Sequence, residues 1–141
     1  VSKSKRIAEM VADHHGQKLD QHYLGYFHCF NKQLFYEAHE VLEHLWLKDK
    51  HGPNGAFYKG LIQLAGAFVH VQKGRPQPAA SLLKLALANF EKYPRVHEHL
   101  SMETTCQLAR KWLETLEQSR LGAHPLTGQH WPVLTLERDG S

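Results

Sequence analysis

From Asp20 onward apolar residues return at helical intervals. Tyr23, Leu24, Phe27 and Phe30 fall on one side of a helix, with Asp20 suited to cap its amino end. Asn31 marks a tight turn. A second helix is expected from about Gln33 to Leu47, where Leu34, Ala38, Val41, Leu42, Leu45 and Trp46 line one side. The cluster Gly52-Pro53-Asn54-Gly55 ends it and starts a third, from about Ala56 to Lys73. Gly74 and Pro76 pair a helix-ending glycine with a proline fitted to a first helical turn, so another hairpin follows. Leu82, Leu83, Leu85, Ala86 and Phe90 make a fourth helix up to Tyr93, where Pro94 cannot continue the hydrogen-bond ladder. A fifth, roughly Leu100 to Ser119, carries Leu108, Ala109, Trp112, Leu113 and Leu116. Ahead of these, Ile7, Met10 and Val11 recur helically until His14-His15-Gly16 interrupts them, and residues 1–19 read as a loosely packed arm. Beyond Arg120 Gly and Pro accumulate, and Trp131 to Leu136 reads as an extended tail lying across the helices. No stretch alternates as a sheet does. The pattern predicts one all-α domain over residues 1–141, a compact array of about five helices in antiparallel hairpins over 20–119, with an extended C-terminal tail over 120–141.

The polar positions are less uniform than the apolar ones. On the second helix Glu37, His39, Glu40, Glu43 and His44 occupy the arc opposite Val41 and Leu45. His39 with Glu43, and Glu40 with His44, are four apart and therefore neighbours on the helix surface. A water-facing stripe accounts for them, because Glu is rarely buried unless paired. The third helix gives that stripe a second meaning. Phe57, Leu61, Ile62, Leu64, Phe68, Val69 and Val71 leave it almost no polar side, which places it at the centre of the fold. Yet Lys59, Gln63 and His70 share a narrow stripe, with Gly66 between them leaving backbone open. A buried amide or imidazole left unpaired costs about 1–3 kcal/mol, so the seam is expected to meet hydrogen-bonding groups. The preceding helix supplies the nearest carboxylates in sequence. The expected site is an internal polar cluster drawn from Glu37, His39, Glu40, Glu43, Lys59, Gln63 and His70.

Such a cluster has three uses: a satisfied network that fixes helix register, a pocket for a small ligand, or a histidine and carboxylate metal site. For a divalent metal, His39, Glu43 and His70 are the candidate ligands and Glu40 the general base that would activate water. His39-Glu40-Val41-Leu42-Glu43 follows the zinc-protease pattern H-E-x-x-H for two residues only, Glu43 standing where the second histidine belongs. The helix also lacks the Glu-x-x-His spacing of di-iron bundles. No glycine-rich phosphate loop and no G-x-S-x-G elbow occur, and Trp46, Trp112 and Trp131 read as packing groups.

Composition narrows the classes further. Hydrophobic residues at 42% and charged ones at 22% match an ordinary globular chain. A net charge of +3, with Lys and Arg scattered, does not indicate nucleic-acid binding. The longest apolar stretch, Leu61 to Val71, contains Gln63 and His70 and is too short to span a bilayer. Basic Val1 to Arg6 is not followed by the apolar core of a secretory signal, so a cytoplasmic protein is expected. Cys29 and Cys106, with no C-x-x-C spacing, read as reduced core thiols.

Two stretches carry a resemblance. The run Phe30 to Glu43, followed by Trp46, and the run Phe57 to Ala65, with His70 and Gly74, together resemble an uncharacterised family, domain of unknown function 309, over roughly Tyr23 to Tyr93. The resemblance implies a small all-helical fold in which Glu37, His39, Glu40, Glu43, Gln63 and His70 match polar motif positions; it implies no activity. Gln33 departs from it, since similar sequences have Gly in that turn. A left-handed Gln would cost about 1–2 kcal/mol, so Asn31 is expected to take the strain instead. The functional expectation is a non-enzymatic module that binds a small ligand, a protein or a second copy of itself. The alternative is a metal-dependent, hydrolase-like enzyme.

Overall fold

The computed structural model describes residues 19–120 and 130–137. Residues 1–18 of the expected N-terminal arm lie outside the described residues, as do 121–129 and 138–141 of the tail. Five helices are described: α1 (Gln21–Asn31), α2 (Phe35–Asp49), α3 (Gly55–Gln72), α4 (Pro76–Phe90) and α5 (Met102–Arg120). Between α4 and α5 lies a small antiparallel hairpin of β1 (Val96–His97) and β2 (Leu100–Ser101), with His97 opposite Leu100. The all-α array read from the sequence is therefore observed, with one hairpin added that the sequence pattern did not show.

Local chemistry sets the helix ends. Asp20 caps α1, its side chain accepting from the backbone N–H of His22 at 2.7 Å. The same reversal closes α1 and α3. After α1, Gln33 N–H donates to Phe30 C=O and Leu34 N–H to Cys29 C=O; after α3, Gly74 N–H donates to Val71 C=O and Arg75 N–H to His70 C=O. This geometry requires a left-handed residue at the first position beyond the cap. Gly74 supplies it at φ 69° without steric cost, whereas Gln33 adopts φ 61° despite its Cβ. The strain thus falls on Gln33, not on Asn31, because Gln33 is the residue just beyond the Lys32 cap, where the chain must turn left-handed for Gln33 and Leu34 to donate back to Phe30 and Cys29. Pro76, with no N–H to leave unpaired, begins α4.

Short connections make sequential helices neighbours, and α3 sits among all the others. Its Leu61 carbonyl accepts from the hydroxyl of Tyr26 on α1 at 2.7 Å. Its Phe68 ring packs edge-on against Phe30 of α1 and Trp112 of α5, with centroids 5.9 and 5.1 Å away. Phe35 of α2 completes this aromatic centre, 5.3 Å from Phe68. Cys29 and Cys106 are free and buried in the surrounding core. No described helix is long and apolar enough to cross a membrane.

The tail segment packs on the helices as expected. Trp131 lies against Phe35 and stacks on Trp112 at 6.3 Å, and Leu134 is buried.

Candidate functional site

The α2 face and the α3 seam lie on neighbouring helices, and the structure shows which groups meet. On α2, Nε2 of His39 lies 3.9 Å from a carboxylate oxygen of Glu43, one helical turn on, and the His39 ring is 5.8 Å from that of Tyr36. His44 faces the other way, toward α1, with its ring 5.0 Å from that of His22. Glu37 and Glu40 are half-buried, and one carboxylate oxygen of Glu40 is shielded from solvent.

The seam of α3 divides between two neighbours. The Lys59 ammonium sits 4.4 Å from the centre of the Trp46 ring on α2, a cation over an aromatic face rather than an ion pair. Gln63 turns the other way. Its Oε1 accepts from Nδ2 of Asn89 on α4 at 2.8 Å, and Asn89 in turn accepts from Lys92. The amide expected to meet the α2 carboxylates therefore has its partner on the following helix. The reason is angular: Gln63 lies about 40° around α3 from Lys59, enough to carry it from the α2 side to the α4 side.

His70 is the seam's unsatisfied member. Its Nδ1 is buried and has no hydrogen-bond partner among the described residues, while the residue as a whole is partly exposed. Burial, and then the positive charges of Arg75 and Lys73, hold its pKa below the ordinary histidine value. Arg75 is close because its backbone N–H caps the His70 carbonyl at 2.9 Å. His39, Glu43 and His70 do not converge as ligands, and among the described residues no three His, Cys, Asp or Glu side chains form a group able to hold a metal. Two described clefts, of about 310 and 170 Å³, are lined by α5, the hairpin and the tail, not by the seam.

A second polar cluster was not anticipated from the sequence. At the amino end of α3, Nε2–H of His97 donates to Oδ1 of Asn54, and Nδ2 of Asn54 donates to the Glu98 carboxylate, both at 2.7 Å. The Tyr23 hydroxyl donates to the Glu98 carbonyl at 2.7 Å. The His97 ring lies between those of Phe57 and Tyr93, 4.8 and 4.5 Å away, and burial lowers its pKa although Glu98 opposes this. Glu98 and His99 form the hairpin turn with φ of 49° and 64°. Two-residue turns of this kind favour Asn-Gly, and the absence of that dipeptide hid the hairpin. These bonds fasten the hairpin to α1 and to the amino end of α3.

Comparison with known proteins agrees with the motifs. The family described as a domain of unknown function (DUF309) matches residues 23–82. An uncharacterized protein of Aquifex aeolicus (strain VF5) is 36% identical over 67 residues, which is 48% of this chain and 20% of that protein. The chain thus spans about a fifth of the length of that relative. No solved structure gives a significant match. The matched segment runs from the start of α1 into α4 and holds every residue of the candidate site; over residues 23–82 this chain is a match to the domain of unknown function 309.

Proposed function

We propose that residues 1–141 form one cytoplasmic, non-enzymatic protein-binding module, whose contact surface is the outer edge of α2 and whose α3 seam keeps the helices in register. One observation carries this reading. Tyr36 and Leu47 are 50% and 57% exposed, and they lie about 20° apart around α2 and about 16 Å apart along it, so one edge carries an aromatic and an aliphatic group three turns apart. An aromatic and an aliphatic group aligned on one helix edge supply anchors of the kind protein contacts use. Glu43 stands between them, which favours a basic group on the partner. The recurrence of a 67-residue stretch inside a longer Aquifex protein supports a module.

The test is recovery of a partner from native cells by the full chain, with wild type set against a Tyr36→Asp/Leu47→Asp variant of unchanged melting temperature. A stoichiometric protein retained by wild type and lost with the variant is expected. Equal retention by both refutes the reading. Sedimentation of the purified chain distinguishes a second copy from a different partner.

A small ligand on the seam is the second reading, favoured by the buried, unpartnered Nδ1 of His70. A fragment library titrated against the histidine nitrogen resonances tests it: a hit that moves His70 and is lost in Gln63→Leu supports the pocket.

A further inference from the structure

Residues 130–137 have no helix or sheet ladder of their own, yet their backbone is held at two points. Leu134 N–H donates to Oδ1 of Asn31, and Leu134 C=O accepts from Nδ2 of the same side chain, both at 2.8 Å. Further along, Glu137 N–H donates to the His99 carbonyl at 2.6 Å, and Nδ1–H of His99 donates to the Glu137 carbonyl at 3.1 Å. Each clamp satisfies both backbone groups of one residue, as a neighbouring strand does in a sheet.

The side chains around the clamps alternate. Pro132 and Leu134 are buried and Leu136 is half-buried, while Trp131, Val133 and Thr135 are exposed. Leu134 retains only 3% of its surface, and a cleft of about 170 Å³ runs beside it along Ser101 and Thr104. His99 holds its clamp from a left-handed conformation, φ 64°, that a side chain rarely adopts.

Backbone hydrogen bonds indifferent to side-chain identity, joined to pockets for alternate side chains, are the means by which extended peptides are recognised. The geometry points to a peptide-binding groove formed by the carboxyl end of α1, the hairpin and the start of α5. Its occupant is this chain's own segment 130–137, with apolar residues at alternate positions, which leaves and rebinds while the helices stay folded. The reading of α2 is not needed for this. Residues 121–129 tether the occupant at high effective concentration, so exchange becomes visible only when the tether is cut.

The experiment uses the full chain, folded intact, with a protease recognition sequence placed within 121–129 and cleaved afterwards. A fluorescent peptide spanning 130–137 is then titrated by anisotropy while circular dichroism follows the helices. Saturable binding is expected, weakened about ten-fold or more by Asn31→Ala in the protein, because two backbone groups lose their partner. In the peptide, Leu134→Asp should abolish binding and Val133→Asp should leave it unchanged. Three results would overturn the proposal: no binding to a cleaved protein that stays helical, loss of helix when the segment leaves, or equal binding by both peptide variants.

Discussion

Two glycines of α3 should answer the same substitution with opposite sign. A Cβ added at Gly60 would stand 2.7 and 3.0 Å from ring carbons of Phe90 and 3.2 Å from Cβ of Asn89. Phe90 is fully buried, so its ring has no empty space to enter, and α4 itself would have to move. Replacing Gly by Ala inside a helix returns about 1 kcal/mol of propensity, while overpacking of this kind costs about 1–3 kcal/mol. With two contacts near or below 3 Å the upper part of that range applies. Gly60→Ala should lose about 1–2 kcal/mol net and loosen the nearby bond between Asn89 and Gln63. At Gly66 the added Cβ would meet one atom, Cδ1 of Leu82 at 3.3 Å, the far end of a half-buried side chain. There the propensity gain survives, and Gly66→Ala should add about 0.5–1 kcal/mol. Urea unfolding by circular dichroism reads both from the midpoints at unchanged slope. A Gly60→Ala protein as stable as wild type, or a Gly66→Ala protein weaker by about 1 kcal/mol, would refute the packing argument. Gly66 also lies between Gln63 and His70 on the seam. If a ligand uses the open backbone there, Gly66→Ala will be more stable and yet bind less, a separation that a purely structural seam does not produce.

Gln33→Gly removes a left-handed side chain worth about 1–2 kcal/mol and restores about 0.5–1 kcal/mol of chain entropy. It should therefore raise the melting temperature by a few degrees, and a fall would count against the strain at φ 61°. Acid should destabilise the fold: His70 and His97 both have lowered pKa values, burial being the first cause for each. The unfolded chain then binds more protons below about pH 6.5, so their contribution is complete above that value and shrinks below it. A urea midpoint at about pH 5.5 equal to that at about pH 7.5 would contradict this. Cys29 and Cys106 are buried, and burial pushes the Cys106 thiol up, so both should react with a thiol reagent only as fast as the chain opens; a rapid burst from the native protein would contradict it. Untagged protein should carry no stoichiometric transition metal, and metal lost on His39→Ala would revive the metal-dependent reading.

The helices were legible because their signals are local. Asp20 reaches an N–H two residues away, and Gly74 with Pro76 closes one helix and opens the next within three residues. What the sequence concealed depends on distant partners. Asn31 looks like a turn residue, but its carboxamide is committed to Leu134, 103 positions later, and the left-handed position passes to Gln33. The Glu98-His99 turn is poor by its own preferences and is held by Asn54, Tyr23 and Glu137, none of them a neighbour in the chain. Tertiary contacts of this sort override turn propensity.

The seam shows where a helical wheel stops being informative. The wheel placed Lys59, Gln63, Gly66 and His70 on one stripe, and all four are indeed only partly buried. It could not say which helix stands opposite, and nearness in sequence suggested α2 alone. A central helix has neighbours on both flanks. Lys59 reaches Trp46 on α2, Gln63 reaches Asn89 on α4, and Gly66 touches Leu82 on α4. The stripe therefore follows the line where α2 and α4 part over α3. Polar side chains are tolerated on this otherwise buried helix because that line keeps access to water or to a binding partner, as any group with unspent hydrogen-bonding capacity requires. His70 is the test of which of these it is, because its buried Nδ1 has neither the Trp46 ring nor the Asn89 amide, nor any other hydrogen-bond partner among the described residues.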